Sequence, residues 1–318
     1  MRLANSLTRW FPNTAGILLS MVGYFLFSLQ DATVKWLVAG HPVTQVLFMR
    51  SVTITGLCLL LGRAPLMRQC IDSHNKLALL LRGSFILLAW YCYYTAARSL
   101  QLAQLVTIYF AAPLIVTVMS VLILQERVRG PRWIGVTLGF VGVAVACDPG
   151  RVGIDFPAAL VLLAAGLWAY TNILVRQISR TETTLTQMLF SNTTFALACG
   201  LTLPWLWVPA GAGELGLLLA LGLIGAGAQY LLLEGFRLAD ASLVASFEYT
   251  SLVWAFCLSY LVWGDIPKLP VFVGAGLIVA SGLFVICGEW HGGRSGRRPY
   301  RPRTDESGMG RDRGAAGS

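Results

Sequence analysis

Phe27-Ser28-Leu29-Gln30-Asp31-Ala32-Thr33-Val34-Lys35 and, about 141 residues later, Trp168-Ala169-Tyr170-Thr171-Asn172-Ile173-Leu174-Val175-Arg176 are two readings of one pattern. The same shift carries Leu47-Phe48-Met49-Arg50 onto Met188-Leu189-Phe190-Ser191. Farther on, Ala103-Gln104-Leu105-Val106 meets Ala241-Ser242-Leu243-Val244 at a shift of about 138. Gln125-Glu126-Arg127 followed by Trp133-Ile134-Gly135 meets Gly264-Asp265-Ile266 followed by Phe272-Val273-Gly274 at about 139. The chain reads as an internal duplication.

The repeated unit lies in a chain written for lipid. Of 318 residues, 56% are hydrophobic and 12% charged, and the mean hydropathy is +0.67. A water-soluble protein of this length could not cover its surface with so few charges. The apolar residues fall in blocks of roughly 20, which span about 30 Å of hydrocarbon at about 1.5 Å per residue. Ten blocks follow one another, near 14–36, 43–62, 77–97, 102–124, 132–147, 157–178, 185–207, 215–236, 241–263 and 270–288. Lipid leaves no partner for open backbone, so these are expected to be helices; Arg63 to Lys76 is read as a loop. The first block is too long for a secretory leader and carries Asp31 and Lys35, so it stays a helix.

The fold class expected is therefore all-α integral membrane, ten transmembrane helices arranged as a five-plus-five inverted repeat. Five spans is an odd number, so the second repeat, residues 157–288, enters the membrane upside down relative to the first, residues 14–147. Such repeats build carriers whose solute site lies near the midplane between the halves. Basic residues set the orientation. With the N-terminus inside, 18 of the 24 Lys and Arg fall on the inner side and four (Lys35, Arg98, Arg151 and Lys268) on the outer. This predicts a multi-pass protein of the cytoplasmic (inner) membrane with both termini cytoplasmic. Residues 1–13 form a short cytoplasmic N-terminus, and 289–318 a basic cytoplasmic tail expected to be disordered near anionic lipid. The net charge of +9 comes largely from that tail and those loops, so it marks topology and no nucleic-acid partner.

Asp31-Ala32-Thr33-Val34-Lys35-Trp36, Phe48-Met49-Arg50, the Gln125-Glu126-Arg127 turn with Trp133-Ile134-Gly135, Tyr249-Thr250-Ser251-Leu252-Val253-Trp254 and the stretch Gly274 to Gly282 together resemble the drug/metabolite transporter superfamily, in its ten-helix EamA-like branch. The resemblance covers nearly all of residues 14–288. It implies a central cavity lined mainly by segments 1, 3, 4, 6, 8 and 9, with segments 5 and 10 peripheral and closely packed. Gly135, Gly139, Gly142, Gly274 and Gly282 suit that packing. Members of the branch export amino acids and metabolites or import riboflavin or S-adenosylmethionine. Asp265 departs from the Glu more usual at its position.

Ionisable groups inside lipid are expensive and mark solute or ion contacts. Asp31 and Arg50 sit at similar depths below the outer side, about 7 and 10 Å by helical rise. They can pair with each other or open to an anionic or zwitterionic solute, and Asp31 can also reach Lys35. Their repeat counterparts, Asn172 and Ser191, are uncharged. Glu248 in the ninth segment, among small residues, and Glu234 in the eighth are candidate carboxyls for a coupling proton. Glu234 can equally pair with Arg237, and Arg82 is expected to snorkel. The aromatics Trp90, Tyr91, Tyr93 and Tyr94, with Tyr109 and Phe110, form an outer belt in part and can in part stack a flat solute ring. Substrate contacts are thus assigned to Asp31, Arg50, Trp90, Tyr94, Tyr109, Trp168, Asn172, Gln229 and Glu248, Gln229 being the counterpart of Trp90. Pro113 is expected to kink the fourth segment.

The chain has no HExxH, GxSxG or P-loop, so neither an enzyme nor a self-contained ATP-driven pump is expected. The seven cysteines form no CxxC pair and the three histidines do not cluster, so no metal or other cofactor is expected. A small-molecule solute and the bilayer are the partners implied; a homodimer is compatible with the sequence. The alternative is a non-transporting membrane scaffold or sensor with the same fold.

Overall fold

The computed structural model describes residues 12–73, 75–124, 130–148, 155–178, 182–238 and 247–293. Among them every regular element is helical. The elements are α1 (Pro12–Gly40), α2 (Val43–Asp72), α3 (Lys76–Ala97), α4 (Leu102–Tyr109), α5 (Ala111–Leu124), α6 (Gly130–Ala146), α7 (Phe156–Ile178), α8 (Thr184–Gly200), α9 (Leu203–Leu206), α10 (Ala212–Leu238), α11 (Thr250–Trp263) and α12 (Leu269–Gly293). The Gln125–Glu126–Arg127 turn, Ala241–Ser242–Leu243–Val244 and most of the basic tail lie outside the described residues.

Among the described residues, six helical stretches are long and apolar enough to cross a membrane: Ala15–Gly40, Val43–Asp72, Lys76–Ala97, Leu102–Ile123, Phe156–Leu174 and Ala212–Leu232. Trp133–Ala146, Thr250–Trp263 and Leu269–Phe284 are shorter apolar helices. The surface is coated with exposed apolar side chains such as Leu18, Leu60, Leu77, Leu122 and Leu261, while Gln30, Gln45, Arg50, Arg82 and Thr171 are buried. Apolar outside and polar inside is the arrangement lipid selects, because only the interior offers hydrogen-bond partners.

Local chemistry explains where the segments break. Pro113 has no N–H for the Tyr109 carbonyl, and the fourth segment is interrupted at Phe110, as expected for a kink there. Pro204 likewise leaves the Gly200 carbonyl without its helical donor, so the seventh segment divides into α8 and α9. The stretch Arg63–Lys76, expected to be a loop, is mostly helix. Arg63 takes the strained left-handed conformation (φ 48°), after which α2 resumes with Pro65 in its first turn. In α11, the Thr250 and Ser251 hydroxyls donate to the carbonyls of Phe247 (2.6 Å) and Glu248 (2.7 Å), capping a break just before the helix. Gly264, at φ 66°, ends the same helix in a left-handed turn.

The most extensive helix pairs are α1 with α10, α6 with α12, α2 with α8 and α3 with α7. Connections fasten the two ends of the bundle. At the His41 end the Gln45 amide exchanges two hydrogen bonds with the Val208 backbone (2.8 and 3.0 Å), and Arg98 donates to the His41 carbonyl (2.7 Å). There too Lys268 meets Asp148 at 3.5 Å. At the opposite end Ser73 donates to Glu182 (2.6 Å) and Thr183 to Gln69 (3.4 Å). The α6–α12 contact has backbone-to-backbone closeness. A methyl on Gly142 would stand 2.8 Å from the Gly274 carbonyl oxygen. Gly139 faces Ser281 of α12 and also Leu114 of α5, whereas Gly282 serves otherwise than expected, making room for the Tyr249 ring.

Candidate functional site

Consecutive residues on a helix diverge by about 100°, and at Gln30-Asp31 that divergence sends two polar groups to two neighbours. Gln30 is fully buried and its Oε1 accepts from Arg50 Nη2 at 3.5 Å, a weak contact. Asp31 is half-buried and accepts from the Tyr93 hydroxyl at 3.2 Å. Arg50, from α2, is 4% exposed and lies over the Trp90 ring with 4.4 Å from its Cζ to the ring centroid. That is cation–π geometry.

Arg50 reaches this depth because Gly225 of α10 has no side chain. A methyl there would collide with Gln30 Oε1 and stand 3.3 Å from Arg50 Nε. Among the described residues, the Nε of Arg50, the Nε2 of Gln30 and the hydroxyl of Tyr94 are buried with no hydrogen-bond partner. A guanidinium with spare donors, facing an aromatic wall, is equipped to bind a carboxylate or another oxyanion.

Asp31 and Arg50 do not form the direct ion pair that their depth permits. Tyr93 takes up the carboxylate, and Gln30 with Trp90 takes the guanidinium. Lys35 turns away from Asp31, donating to the Leu100 carbonyl (2.6 Å) and lying over Trp263. The aromatics form one connected set: Trp90 meets Tyr94 at 5.3 Å and Trp168 at 6.4 Å, and Tyr93 meets Tyr109 at 4.9 Å. Only Tyr91 of the α3 aromatics faces outward as a belt residue; Tyr93 and Tyr94 are buried.

Glu248 sits in the turn before α11, within electrostatic range of Tyr24, Tyr109 and Tyr249. Asn172 lies one helical turn beyond Trp168 on the same face of α7, and Gln229 one turn beyond Gly225 on α10. Both are half-buried. The Glu234 side chain is outside the described residues. Arg82 does not snorkel: it is buried and donates to Ser191 of α8 at 3.0 Å. It lies about 9 Å from the start of α3 by helical rise, where the Ser191 hydroxyl of the facing helix takes its donor.

Sequence reasoning missed Gln30 and Gly225, and named Tyr93 among the aromatics without finding it as the partner of Asp31. Gln30 was adjacent to the charge that drew attention and is neutral. Gly225 gave a signal in Gly222-Leu223-Ile224-Gly225-Ala226-Gly227, whose small residues mark a face another helix approaches.

A helical bundle coated in apolar side chains, with a buried guanidinium, a half-buried carboxylate and an aromatic wall inside, defines a multi-pass membrane protein with an internal polar site. The chain belongs to the EamA-like transporter family, which it matches twice, over residues 14–147 and 156–287. It is 29% identical over 275 residues to the pseudopaline exporter CntI of Pseudomonas aeruginosa, an alignment covering 84% of this chain and 94% of that protein. It is 24% identical over 283 residues to an S-adenosylmethionine uptake transporter of Rickettsia conorii (85% of this chain, 94% of that one). Over 197 residues it is 29% identical to a riboflavin transporter of Vibrio cholerae (61% and 65%). A solved crystal structure shares the fold at a TM-score of 0.63 and 18% identity, over 87% of this chain and 98% of the other. By family and relatives the chain is a small-metabolite transporter.

Proposed function

We propose that the chain is a secondary transporter working by alternating access, and that it binds a small organic solute at Arg50, Asp31 and the Trp90–Tyr94–Tyr109–Trp168 aromatics. The observation that carries this reading is Arg50, buried, with a spare donor and no carboxylate partner among the described residues. A buried charge left unpaired is costly, and an anionic group on the solute offsets that cost. The relatives' names span a pseudopaline, S-adenosylmethionine and riboflavin, so the solute class is an amino-acid-like, S-adenosylmethionine-like or riboflavin-like metabolite. Such named transporters do not favour the scaffold reading.

The ten-helix inverted repeat is part of this proposal. Exchanging the halves maps the α1–α10 pair onto α3–α7, and leaves α2–α8 and α6–α12 in place. The breaks at Phe110 and Tyr249 are separated by 139, close to the repeat shift, and the two rings stack at 5.5 Å. Both observations support two inverted halves rocking about a shared centre. In the orientation set by the basic residues, the His41 end faces outward from a bacterial inner membrane and the Ser73 end faces the cytoplasm. Asn172, Gln229 and Glu248 extend the solute site, and Glu248 or Glu234 carries the coupling proton.

The test is thermal stabilisation of the purified protein across flavins, amino acids, nucleosides and S-adenosylmethionine. A solute at 100 times its Kd stabilises the folded state by about 2.7 kcal/mol, and that gain is expected to vanish in Arg50→Ala. A solute that stabilises Arg50→Ala as well as the native protein would remove Arg50 from the site. For coupling, Glu248→Gln is expected to abolish flux driven by a pH gradient while exchange at equal pH persists; gradient-driven flux at the native rate would exclude Glu248.

A further inference from the structure

The first repeat carries Arg50 near the His41 end of the bundle. The repeat shift of about 141 places Ser191 at the matching position of the second repeat, near the opposite end. A serine there leaves the second half without a guanidinium at that position. The structure supplies one from a neighbouring helix: Arg82 Nη1 of α3 donates to Ser191 Oγ at 3.0 Å. Ser191 sends its own proton to the Gln187 carbonyl (2.9 Å), so its oxygen is free to accept from Arg82. Gly83 allows the close approach of α3 to α8 here, since a methyl on it would stand 3.2 Å from Thr194 Oγ1.

The two arginines share an unusual state. Arg82 is 9% exposed and Arg50 4%. Each has a buried Nε with no hydrogen-bond partner, and neither forms an ion pair among the described residues. They lie at similar depths from opposite ends, roughly 10 Å along α2 for Arg50 and 9 Å along α3 for Arg82. A clamp between α3 and α8 would need only a hydroxyl or an amide at residue 82, and a desolvated guanidinium is a costly choice for it.

We propose that Arg82 with Ser191 forms a second oxyanion-binding station, on the cytoplasmic side, which holds a carboxylate of the solute when the transporter opens inward. It mirrors the Arg50 station and rests on the reading of Arg50 as the outer solute contact. An anionic group thereby meets a guanidinium at either end of its path, so neither inward nor outward opening strands it in an apolar passage.

A test that needs no knowledge of the solute uses the full-length Ser191→Cys protein in oriented membrane vesicles. Negatively charged methanethiosulfonate ethylsulfonate and positively charged methanethiosulfonate ethyltrimethylammonium are applied separately to each face. Adducts at residue 191 are followed by mass spectrometry with the native cysteines in place. The expected result is labelling from the cytoplasmic face, with the sulfonate favoured over the ammonium. In Arg82→Gln that preference falls by about ten-fold or more, as removal of a unit charge a few ångströms away in a partly hydrated passage requires. Arg82→Lys retains the preference, which separates charge from packing. Absence of any adduct at 191, labelling only from the outer face, or a preference unchanged in Arg82→Gln would each overturn the proposal. Solute binding by Arg50→Ala is read separately, so failure of the outer site and failure of the inner station are distinguishable.

Discussion

Two helix seams in this molecule use glycine and put it to opposite ends. Between α6 and α12, Gly142 and Gly274 bring backbone against backbone, with Ala146 and Ile278 filling the sides. Where α10 packs against α1 and α2, its glycines also make room for polar side chains: Gly225 for Gln30 and Arg50, Gly222 for Thr53, Gly235 for Ser20, while Gly23 of α1 meets the α10 backbone directly. The first seam is dry packing, which in lipid is a main source of helix association. The second spends the same closeness on seating a buried charge. Glycine content alone therefore does not tell a scaffold from a site; what stands opposite the missing Cβ does.

The largest effect separating the seams is expected from Gly225→Leu. The new side chain occupies the space of Gln30 Oε1 and the Arg50 guanidinium, and solute affinity should fall by about 100-fold, the upper range for loss of a charged hydrogen-bonding arrangement. Equilibrium binding checks it, with membrane insertion as control; affinity within two-fold of native would mean that Arg50 is not the contact. Next is Trp90→Leu, which removes the cation–π face. A desolvated contact of this kind is worth about 2 kcal/mol, or roughly 30-fold in affinity, and Trp90→Phe should recover part of it. Gly142→Ala is the contrasting change in the dry seam. Overpacking there should cost about 1–3 kcal/mol of stability, seen as a lower Tm in detergent, while Kd stays within two-fold. Loss of affinity without loss of Tm would reverse the roles given to the two seams. The smallest effect is expected from Ser251→Ala, which removes the hydroxyl on the Glu248 carbonyl and should cost about 1 kcal/mol, read as a modest drop in Tm.

Much of the architecture was legible in the sequence because lipid imposes it. Apolar blocks of membrane-spanning length and the interruption at Pro113 follow from backbone hydrogen bonding, which a single chain reveals. The helical course of α2 beyond Arg63 was not legible, because it depends on a strained backbone at a residue that ordinarily avoids positive φ. At the candidate site, charge pointed to Asp31 and Arg50, but their partners were set by helix rotation. Gln30, one residue before Asp31, proved to be the group on Arg50, and Tyr93 the group on Asp31. Arg82 was misread for the same reason: depth along a helix is readable from sequence, and the facing helix is not.

The central claim is that the buried guanidinium of Arg50 holds the transported solute. The most direct measurement is counterflow in proteoliposomes, using the solute that stabilises the purified protein most, with native and Arg50→Ala proteins reconstituted in equal amounts. The account predicts saturable exchange by the native protein and, in Arg50→Ala, exchange at the level of empty liposomes. Exchange by Arg50→Ala with native KM and native maximal rate would contradict it.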